Sequence, residues 1–578
     1  MSDQIDNKLT ISGGEALARM IQAHGGGPVF GMGGFQLLPF YEASRVLGLQ
    51  HVLINDERCG AFMADAYSRA TGKPGLCDAT LGPGATNLVT ALTESFNAGV
   101  PIIAITGNMN RNFSWCNMTQ EARQLDILRP CVKEVIRVEI GERIPEHVAW
   151  AYHVATSGRP GPVLIDIPED VSHGEFTFDA DLFSPLSSPA RAPKLRMRPD
   201  RAALSDAAAM LNKAKRPMLL VGGGVHQSDA YAALESFVQK TGIPMAYTLS
   251  GKGALADDNP LCIGLFGRYS RCANDLLETS DCVLVVGCKL GEIATKRYTV
   301  PPSNTPMIHI DIVAEEISRW RKPDVAIWAD AREAFLDLTE AIEDRFADRS
   351  EYHAEVTSAH DAWRQTASER LNSDETPINV GRLIGELNKA MPPKSVLVAD
   401  GGFAAHWGGL LYDTKSAGRT FVADRGFASI GYGLPGAMGS AMGRTNQDIP
   451  VVALTGDGGF NMVLGELETA LRLNLTFIVI VLNNAASGYV KALQHAVYDG
   501  KYQSSDLTEI DYAELAKNLG CGSARVETPS ELSGAIQAAL AHRGTPFVLD
   551  VQVTRDPSKM LPAADNRTLV VNKGDRPV

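Results

Sequence analysis

The sequence has no paired-cysteine motif. Its 578 residues include nine scattered cysteines and no C-x-x-C, which excludes the common zinc and dithiol motifs and predicts a reducing compartment. It also lacks a long apolar run. Its candidate strands are short, such as Phe477 to Leu482, far below the length that spans a membrane. Positive charge is not in excess: the formal net charge is -13, which argues against nucleic acid or an anionic membrane as partner. Met1 to Thr10 is polar and charged, with no signal-peptide pattern. Together these absences predict a cytoplasmic protein. What is present is ordinary globular composition, 45 % hydrophobic and 21 % charged, in a chain too long for one core.

Apolar β-branched runs, glycine-rich turns and helix-like stretches alternate in three successive segments. That alternation predicts an α/β fold of three domains, each with a central, mostly parallel sheet flanked by helices. The expected domains are residues 8–183, 200–349 and 376–556, followed by a C-terminal arm, 557–578. Predicted strands include Pro28 to Phe30, Pro101 to Thr106, Pro162 to Ile167, Pro217 to Val221, Asp281 to Gly287, Met307 to Ile312, Ser395 to Ala399, Val451 to Thr455 and Pro546 to Val551. Ser184 to Pro199, rich in Ser, Pro, Arg and Lys, reads as a linker. The mixed-charge stretch Glu343 to Glu355 reads as a second one.

The stretch L-T-G-D-G-G-F-N, Leu454 to Asn461, directly follows an apolar run. It predicts a strand–loop–helix unit, with the helix from Asn461 to Leu471 and the loop at the ligand-binding end of a parallel sheet. No Gly-Lys-Ser/Thr follows, so it is not a P-loop. A G-x-G-x-x-G string stands at Gly431, Gly433 and Gly436, but Pro435 interrupts it and the downstream acidic residue is missing. Asn483-Asn484 follows the next predicted strand. One helix and one returning strand fit between Asp457 and Asn484, so a right-handed crossover carries both to the same sheet edge. A carboxylate and an amide oxygen beside diphosphate oxygens make a magnesium site. Two independent turns are the plainer alternative.

Gly456-Asp457-Gly458 with Asn483-Asn484 resembles the cofactor motif of thiamine-diphosphate enzymes. Thr80 to Ala104 (TLGPGATNLVTALTESFNAGVPIIA), Ala155 to Asp170 (ATSGRPGPVLIDIPED) and Gly431 to Pro435 (GYGLP) extend the resemblance, to the acetolactate synthase-like family, over nearly the whole chain. It implies pyrimidine-binding, central Rossmann-like and diphosphate-binding domains. It further implies a cofactor bound between two subunits, hence a homodimer at least and a homotetramer by expectation. Mg2+ and diphosphate fall to Asp457, Asn484 and the carbonyl of Ala486, with Gly456, Gly458, Gly459 and Gly488 allowing close backbone approach. The proton-handling residue is Glu57, which in similar enzymes hydrogen-bonds the pyrimidine ring. Ile430 matches the apolar prop under the bent cofactor, and Gly426 and Ala428 match the backbone beside its pyrimidine. Pro83, Asn87 and Gln120 match the thiazolium side, with Gln120 grouped with Glu57 as catalytic.

The substrate side departs from the family pattern. Typical acetolactate synthases carry Phe-Asp-Asp-Arg in the central domain, and that arginine reads the carboxylate of a 2-oxo acid. Here the aligned stretch is Leu290-Gly291-Glu292-Ile293, with Lys289 and Arg297 nearby but displaced. Leu493 stands for a pocket tryptophan, Phe403-Ala404 for a Gln-His pair, and Met32-Gly33-Gly34-Phe35 for Tyr-Pro-Gly-Gly. The pocket is thus assigned to Gly33, Gly34, Ile293, Leu493 and His495, with His495 and His406 as acid–base candidates. Cys59 reads as a small apolar filler. In the central domain Arg159, Gly222, Gly223, Gly224, Thr248, Asp311 and Asp330 match a dinucleotide frame, but the flavin-facing stretch, Phe266 to Tyr269, is altered. FAD, ADP alone and glycine turns without a ligand each account for that frame.

The expected function is thiamine-diphosphate- and Mg-dependent cleavage or formation of carbon–carbon bonds next to a carbonyl, with decarboxylation of a 2-oxo acid and carboligation. A non-decarboxylating lyase or hydrolase acting on a 2-hydroxyacyl or dione substrate is the alternative within catalysis. A flavin-linked oxidoreductase and a catalytically silent relative are the alternatives outside it.

Overall fold

A computed structural model describes residues 7–444 and 448–562. The strands of the first sheet are β2 (Val29–Met32), β3 (His51–Leu53), β4 (Gly75–Ala79), β5 (Ile102–Asn108), β6 (Glu134–Arg137) and β7 (Pro162–Pro168). They are ordered β3-β2-β4-β5-β7-β6, and every pair is parallel. A separate antiparallel pair joins β1 (Lys8–Ser12) to β8 (Glu175–Asp179). The second sheet holds β9 (Pro217–Val221), β10 (Met245–Tyr247), β11 (Cys262–Leu265), β12 (Cys282–Val286), β13 (Met307–Asp311) and β14 (Val325–Trp328). The third holds β15 (Val396–Ala399), β16 (Phe421–Ala423), β17 (Val451–Gly456), β18 (Ile478–Asn483), β19 (Gly522–Val526) and β20 (Phe547–Gln552). Their orders are β11-β10-β9-β12-β13-β14 and β16-β15-β17-β18-β20-β19.

Counted from each sheet's own first strand, the first and third sheets share the order 2-1-3-4-6-5, whereas the middle one runs 3-2-1-4-5-6. Order reverses between β2 and β4, between β9 and β12, and between β15 and β17. Open parallel sheets bind ligands at such reversals, beyond the carboxyl ends of the strands. All three sheets bury strands on both faces, which explains unbroken apolar runs such as Cys282–Val286 and Ile478–Asn483, buried at every position.

The chain packs as two compact units. One contains the first sheet, up to Leu195, with Glu468–Leu473 and a short stretch from Met438; the other contains the second and third sheets. Ser184 to Pro199 has no helix or strand beyond position 183. Glu343 to Glu355 is not a linker throughout: a 22-residue helix, Ser350–Leu371, begins inside it. Of the C-terminal arm, Pro557–Lys559 forms a 3-10 turn, and residues 563–578 lie outside the described residues.

A fully buried ionic cluster ties together loops of the second unit. Asp257 accepts from Lys252 Nζ at 2.8 Å and faces Arg271 Nη1 at 3.4 Å, both cations being inaccessible to solvent. Its Oδ2 also accepts from the Thr414 amide (2.8 Å) and hydroxyl (2.9 Å). Burial alone would raise the Asp257 carboxyl, but Lys252 and Arg271 outweigh it and hold the group well below the carboxylate range. Asp257→Asn leaves buried Lys252 without its carboxylate, while Arg271 keeps Asp413 at 2.9 Å. It is expected to cost about 3–5 kcal/mol, read as a lower denaturant midpoint.

Candidate active site

In the first unit, the carboxyl ends of β2, β3 and β4 converge at the order reversal. After β3, Asp56 caps the helix Glu57–Thr71 by accepting from the Arg58 amide at 2.8 Å. The cap fixes Glu57 as the first helical residue, and its side chain is buried to 6 % exposure. After β4, the chain turns at Gly82, φ +66°, a conformation that favours glycine. Pro83 then opens the short helix Pro83–Asn87. Asn87 Nδ2 donates to Glu57 Oε2 at 2.9 Å. A Cβ on Gly84 would lie 2.9 Å from Glu57 Oε1, so glycine keeps that oxygen clear. Glu57 and Asn87, assigned to one site from sequence, therefore meet directly. Gln120 is exposed, with φ +65°. Its backbone crosses Gly82 so closely that a Cβ there would stand 2.2 Å from its carbonyl oxygen.

The Gly33-Gly34 turn rests on a network that the sequence reading missed. Asp78, fully buried on β4, accepts from Tyr41 Oη at 2.6 Å and pairs with His51 Nε2 at 2.9 Å. Tyr41 Oη in turn accepts from the Gly34 amide at 3.4 Å. Burial, then the Asp78 charge, push the Tyr41 hydroxyl far above its ordinary value, so it stays a donor. A side chain at Gly31 would collide with Asp78 Oδ1. Cys59 is buried, as a filler should be.

In the second unit, β15, β17 and β18 deliver the other half of the candidate residues. Strand β17 runs through Gly456, and a short helix begins at Asp457 itself. The expected single helix from Asn461 is divided into Asp457–Asn461 and Glu466–Arg472. Strands β17 and β18 are parallel neighbours, with Gly456 beside Leu482. Asp457 and Asn484 consequently meet: the Asn484 amide donates to Asp457 Oδ2 at 3.2 Å. The Gly458 amide donates to Oδ1 at 2.7 Å, and Asn484 Oδ1 accepts from the Ala486 amide at 3.2 Å. Ala485 takes φ +51° to make this bend. Burial pushes the Asp457 carboxyl upward, and the surrounding amides return only part of that shift. A divalent cation would favour the charged form. A buried carboxylate, an amide oxygen and the chain at Ala486 form a hard-oxygen set that suits magnesium. The residues present therefore fit the metal.

The four glycines of the motif divide. Nothing lies within 4 Å of a Cβ built on Gly456, and one on Gly458 makes only ordinary contact with Leu507. Gly459 is needed for packing, since its Cβ would stand 2.4 Å from Asp400 Oδ2. Gly488 abuts Asn484, at 3.0 Å from Nδ2. Asp400 is the second residue that sequence reasoning missed. Buried at the end of β15, it accepts from the amides of Gly401, Gly431 and Tyr432 at 2.7–2.9 Å and from Thr455 Oγ1. It thus binds the loop carrying Ile430 to the strand that precedes Asp457. An aspartate directly after a strand and before two glycines was its available signal. Ile430 is 44 % exposed, near Gly402, and Ala428 holds φ +58°. An exposed isoleucine on a tightly held loop suits the assigned prop.

The remaining substrate-side residues are dispersed. Leu493 and His495 lie on the helix Gly488–Val497; His495 is exposed, with Nδ1 3.0 Å from Tyr502 Oη. His406 is buried against Tyr269, ring centroids 4.2 Å apart. Burial, then Arg425 and Arg268, hold its imidazole well below its ordinary value, so it is neutral rather than a poised acid. In the middle sheet, Gly222 and Gly224 close on the backbone of Gly287 across the order reversal. Asp330 caps the helix Ala331–Ala341 and pairs with Arg196 at 2.9 Å. Thr248 caps Leu249–Gly251, and Asp311 accepts from the Val313 amide. A Cβ on Gly223 would stand 3.3 Å from Ser250 Cβ and 3.5 Å from its carbonyl oxygen. Arg159 belongs to the first unit, where it donates to the Asn97 carbonyl. The strand order suits a dinucleotide, but most of the frame residues already have structural partners.

Comparison with known proteins gives this geometry its family. Three family models match in chain order: thiamine pyrophosphate enzyme, N-terminal TPP binding domain, over residues 11–127; the central domain, over 204–338; and the C-terminal TPP binding domain, over 400–551. The chain is 30 % identical to the probable acetolactate synthase large subunit of Methanocaldococcus jannaschii, covering 96 % of this chain and 93 % of the relative. It is 30 % identical to acetolactate synthase isozyme 2 large subunit of Escherichia coli strain K12, covering 94 % and 96 %. It is 31 % identical to the acetolactate synthase large subunit of Corynebacterium glutamicum, covering 94 % and 87 %. The chain belongs to the thiamine pyrophosphate enzyme family. Within it, the chain is an acetolactate synthase-like, thiamine-pyrophosphate-dependent enzyme. Among the described residues no helix is long and apolar enough to cross a membrane.

Proposed function

We propose that the protein decarboxylates a 2-oxo acid and joins the remaining fragment to a second carbonyl compound, using thiamine diphosphate and Mg2+. The observation that carries this reading is the convergence of Asp457 and Asn484 at the β17–β18 edge. When bound, the cofactor supplies an electron sink for the bond next to the carbonyl. Asp457, Asn484 and the Ala486 carbonyl would hold the metal that neutralises the diphosphate. Gly456 and Gly458 leave room for phosphate oxygens. Ile430, Ala428 and Gly426 hold the rings in place. Glu57, positioned by Asn87, would hydrogen-bond the pyrimidine nitrogen and serve there as the proton-transferring group. Pro83 and Gln120 shape the thiazolium side, and Gly33, Gly34, Leu493 and His495 the substrate side.

Glu57 and Asp457 belong to separate units of the chain. We assign them to one cofactor across a pair of subunits, Glu57 from one copy and Asp457 from the other, in a homodimer or homotetramer. FAD or ADP at the middle sheet is a separate reading, supported by strand order; chromatography of an acid extract decides it. Carbon dioxide release from a panel of 2-oxo acids, dependent on added thiamine diphosphate and Mg2+, tests the main proposal. Cleavage of diones without carbon dioxide release would replace it with the non-decarboxylating alternative, which Ile293 at the family's arginine position favours.

A further inference from the structure

The residue at the family's carboxylate-reading position is Ile293, and no side chain there can pair with an anion. One of the displaced cations, Arg297, is diverted, because it pairs with Glu292 at 3.7 Å. The structure brings the loop that carries another arginine, Arg268, against the same segment. The Arg268 amide donates to the Ile293 carbonyl at 2.9 Å. The two loops touch so closely that a Cβ on Gly267 would stand 2.4 Å from that carbonyl oxygen. The altered stretch Phe266 to Tyr269 and the altered Ile293 are therefore one locus.

Arg268 lies over the Tyr269 ring, 6.0 Å from its centroid, and that ring meets His406 in a tilted contact, centroids 4.2 Å apart. Arg425 acts on the same imidazole and follows β16, one residue before Gly426 of the pyrimidine loop. His406 follows β15, on the helix that begins at Phe403, and Phe403 packs on Tyr489 at 5.0 Å. Arg268, His406, Arg425 and Tyr489 thus come from four segments, each beyond the carboxyl end of a strand. His406 is 3 % exposed, and its Nδ1 has no hydrogen-bond partner among the described residues. Arg268, over the Tyr269 ring that meets His406, and Arg425, whose charge also lowers that buried imidazole, make the locus positive, and guanidinium matches the planar geometry of a carboxylate.

We propose that Arg268 and Arg425, next to His406, form the subsite that binds the substrate carboxylate, in place of the arginine absent at Ile293. This rests on the 2-oxo-acid reading above and specifies which side chains select an acid. Neutral carbonyl compounds gain nothing from the subsite, so discrimination is expressed in KM for acids.

The test uses the full-length enzyme with thiamine diphosphate and Mg2+. Wild type, Arg268→Gln, Arg425→Gln and Arg268→Lys are assayed with the best 2-oxo acid of a panel as donor, and with a neutral aldehyde as acceptor at saturating donor. Oxamate binding is measured by calorimetry. Each glutamine variant is expected to raise KM for the acid about 10-fold or more, to leave KM for the neutral aldehyde unchanged, and to weaken oxamate binding in parallel. Arg268→Lys recovers part of the loss. Unchanged KM and oxamate affinity in both glutamine variants would overturn the proposal, as would absence of oxamate binding to the wild type. Failure of the wild type to bind thiamine diphosphate would instead overturn the reading beneath it. If Arg268→Gln does not fold, Arg425→Gln and Arg268→Lys carry the same comparison.

Discussion

Glu57→Gln is expected to lower kcat by roughly 10²–10⁴-fold while cofactor binding survives. Glutamine keeps the size of the side chain and can still meet Asn87, which donates to Glu57 at 2.9 Å. It has no acidic proton to share with a ring nitrogen. The loss therefore falls on the chemical step rather than on KM. Helix capping is unaffected, because Asp56 provides it. Pre-steady-state and steady-state rates, with thiamine diphosphate affinity measured on the same preparation, check the prediction. A kcat within a few-fold of wild type would remove Glu57 from the mechanism.

Asp457→Ala is expected to abolish Mg2+-dependent cofactor binding at ordinary concentrations. Losing an outer-shell partner typically costs a metal site about 10–100-fold in affinity, and direct loss of a carboxylate ligand costs more. Alanine also leaves the Gly458 and Asn484 amides without the carboxylate that accepts from them. The bend at Ala485 then loses its anchor, and the site loses geometry together with charge. Titration with thiamine diphosphate at saturating Mg2+, followed by intrinsic fluorescence, measures the change. Wild-type affinity in this variant would contradict the metal assignment.

The legible part of the site was the part whose logic is local. One crossover separates Asp457 from Asn484, so strand, helix and strand could be counted and convergence inferred. Glu57 was not legible in that way, since a glutamate between Asp56 and Arg58 looks like a solvated helix residue. Resemblance alone singled it out. Asp400 and Asp78 were missed because their partners are distant in sequence. Asp400 reaches Gly431 and Thr455, 31 and 55 positions away, and such meetings exist only in the folded chain. Gly459 was read as allowing close backbone approach and Gly224 as matching a dinucleotide frame; in the fold a Cβ on either would press against protein atoms.

The fold shows the same division. Long buried strands such as β5, β7 and β18 appeared as apolar runs because parallel strands are covered on both faces. Strands of three residues, β3, β10 and β16, are too short to show a period. The helix Ser350–Leu371 was hidden by its charge. Only Tyr352, Val356, Trp363 and Ala367 are buried along 22 residues, too sparse a stripe to stand out.

The central claim is that Glu57 and Asp457 serve one cofactor from two copies of the chain. Co-expression of differently tagged Glu57→Gln and Asp457→Ala chains tests it most directly. Each variant alone is inactive, but a mixed dimer would have one doubly damaged site and one intact site. Random pairing in a two-fold dimer therefore restores about a quarter of wild-type activity, and the purified mixed species carries about half. Restoration at that level is the predicted result. A mixed dimer as inactive as its parents, with each chain folded, would contradict the account.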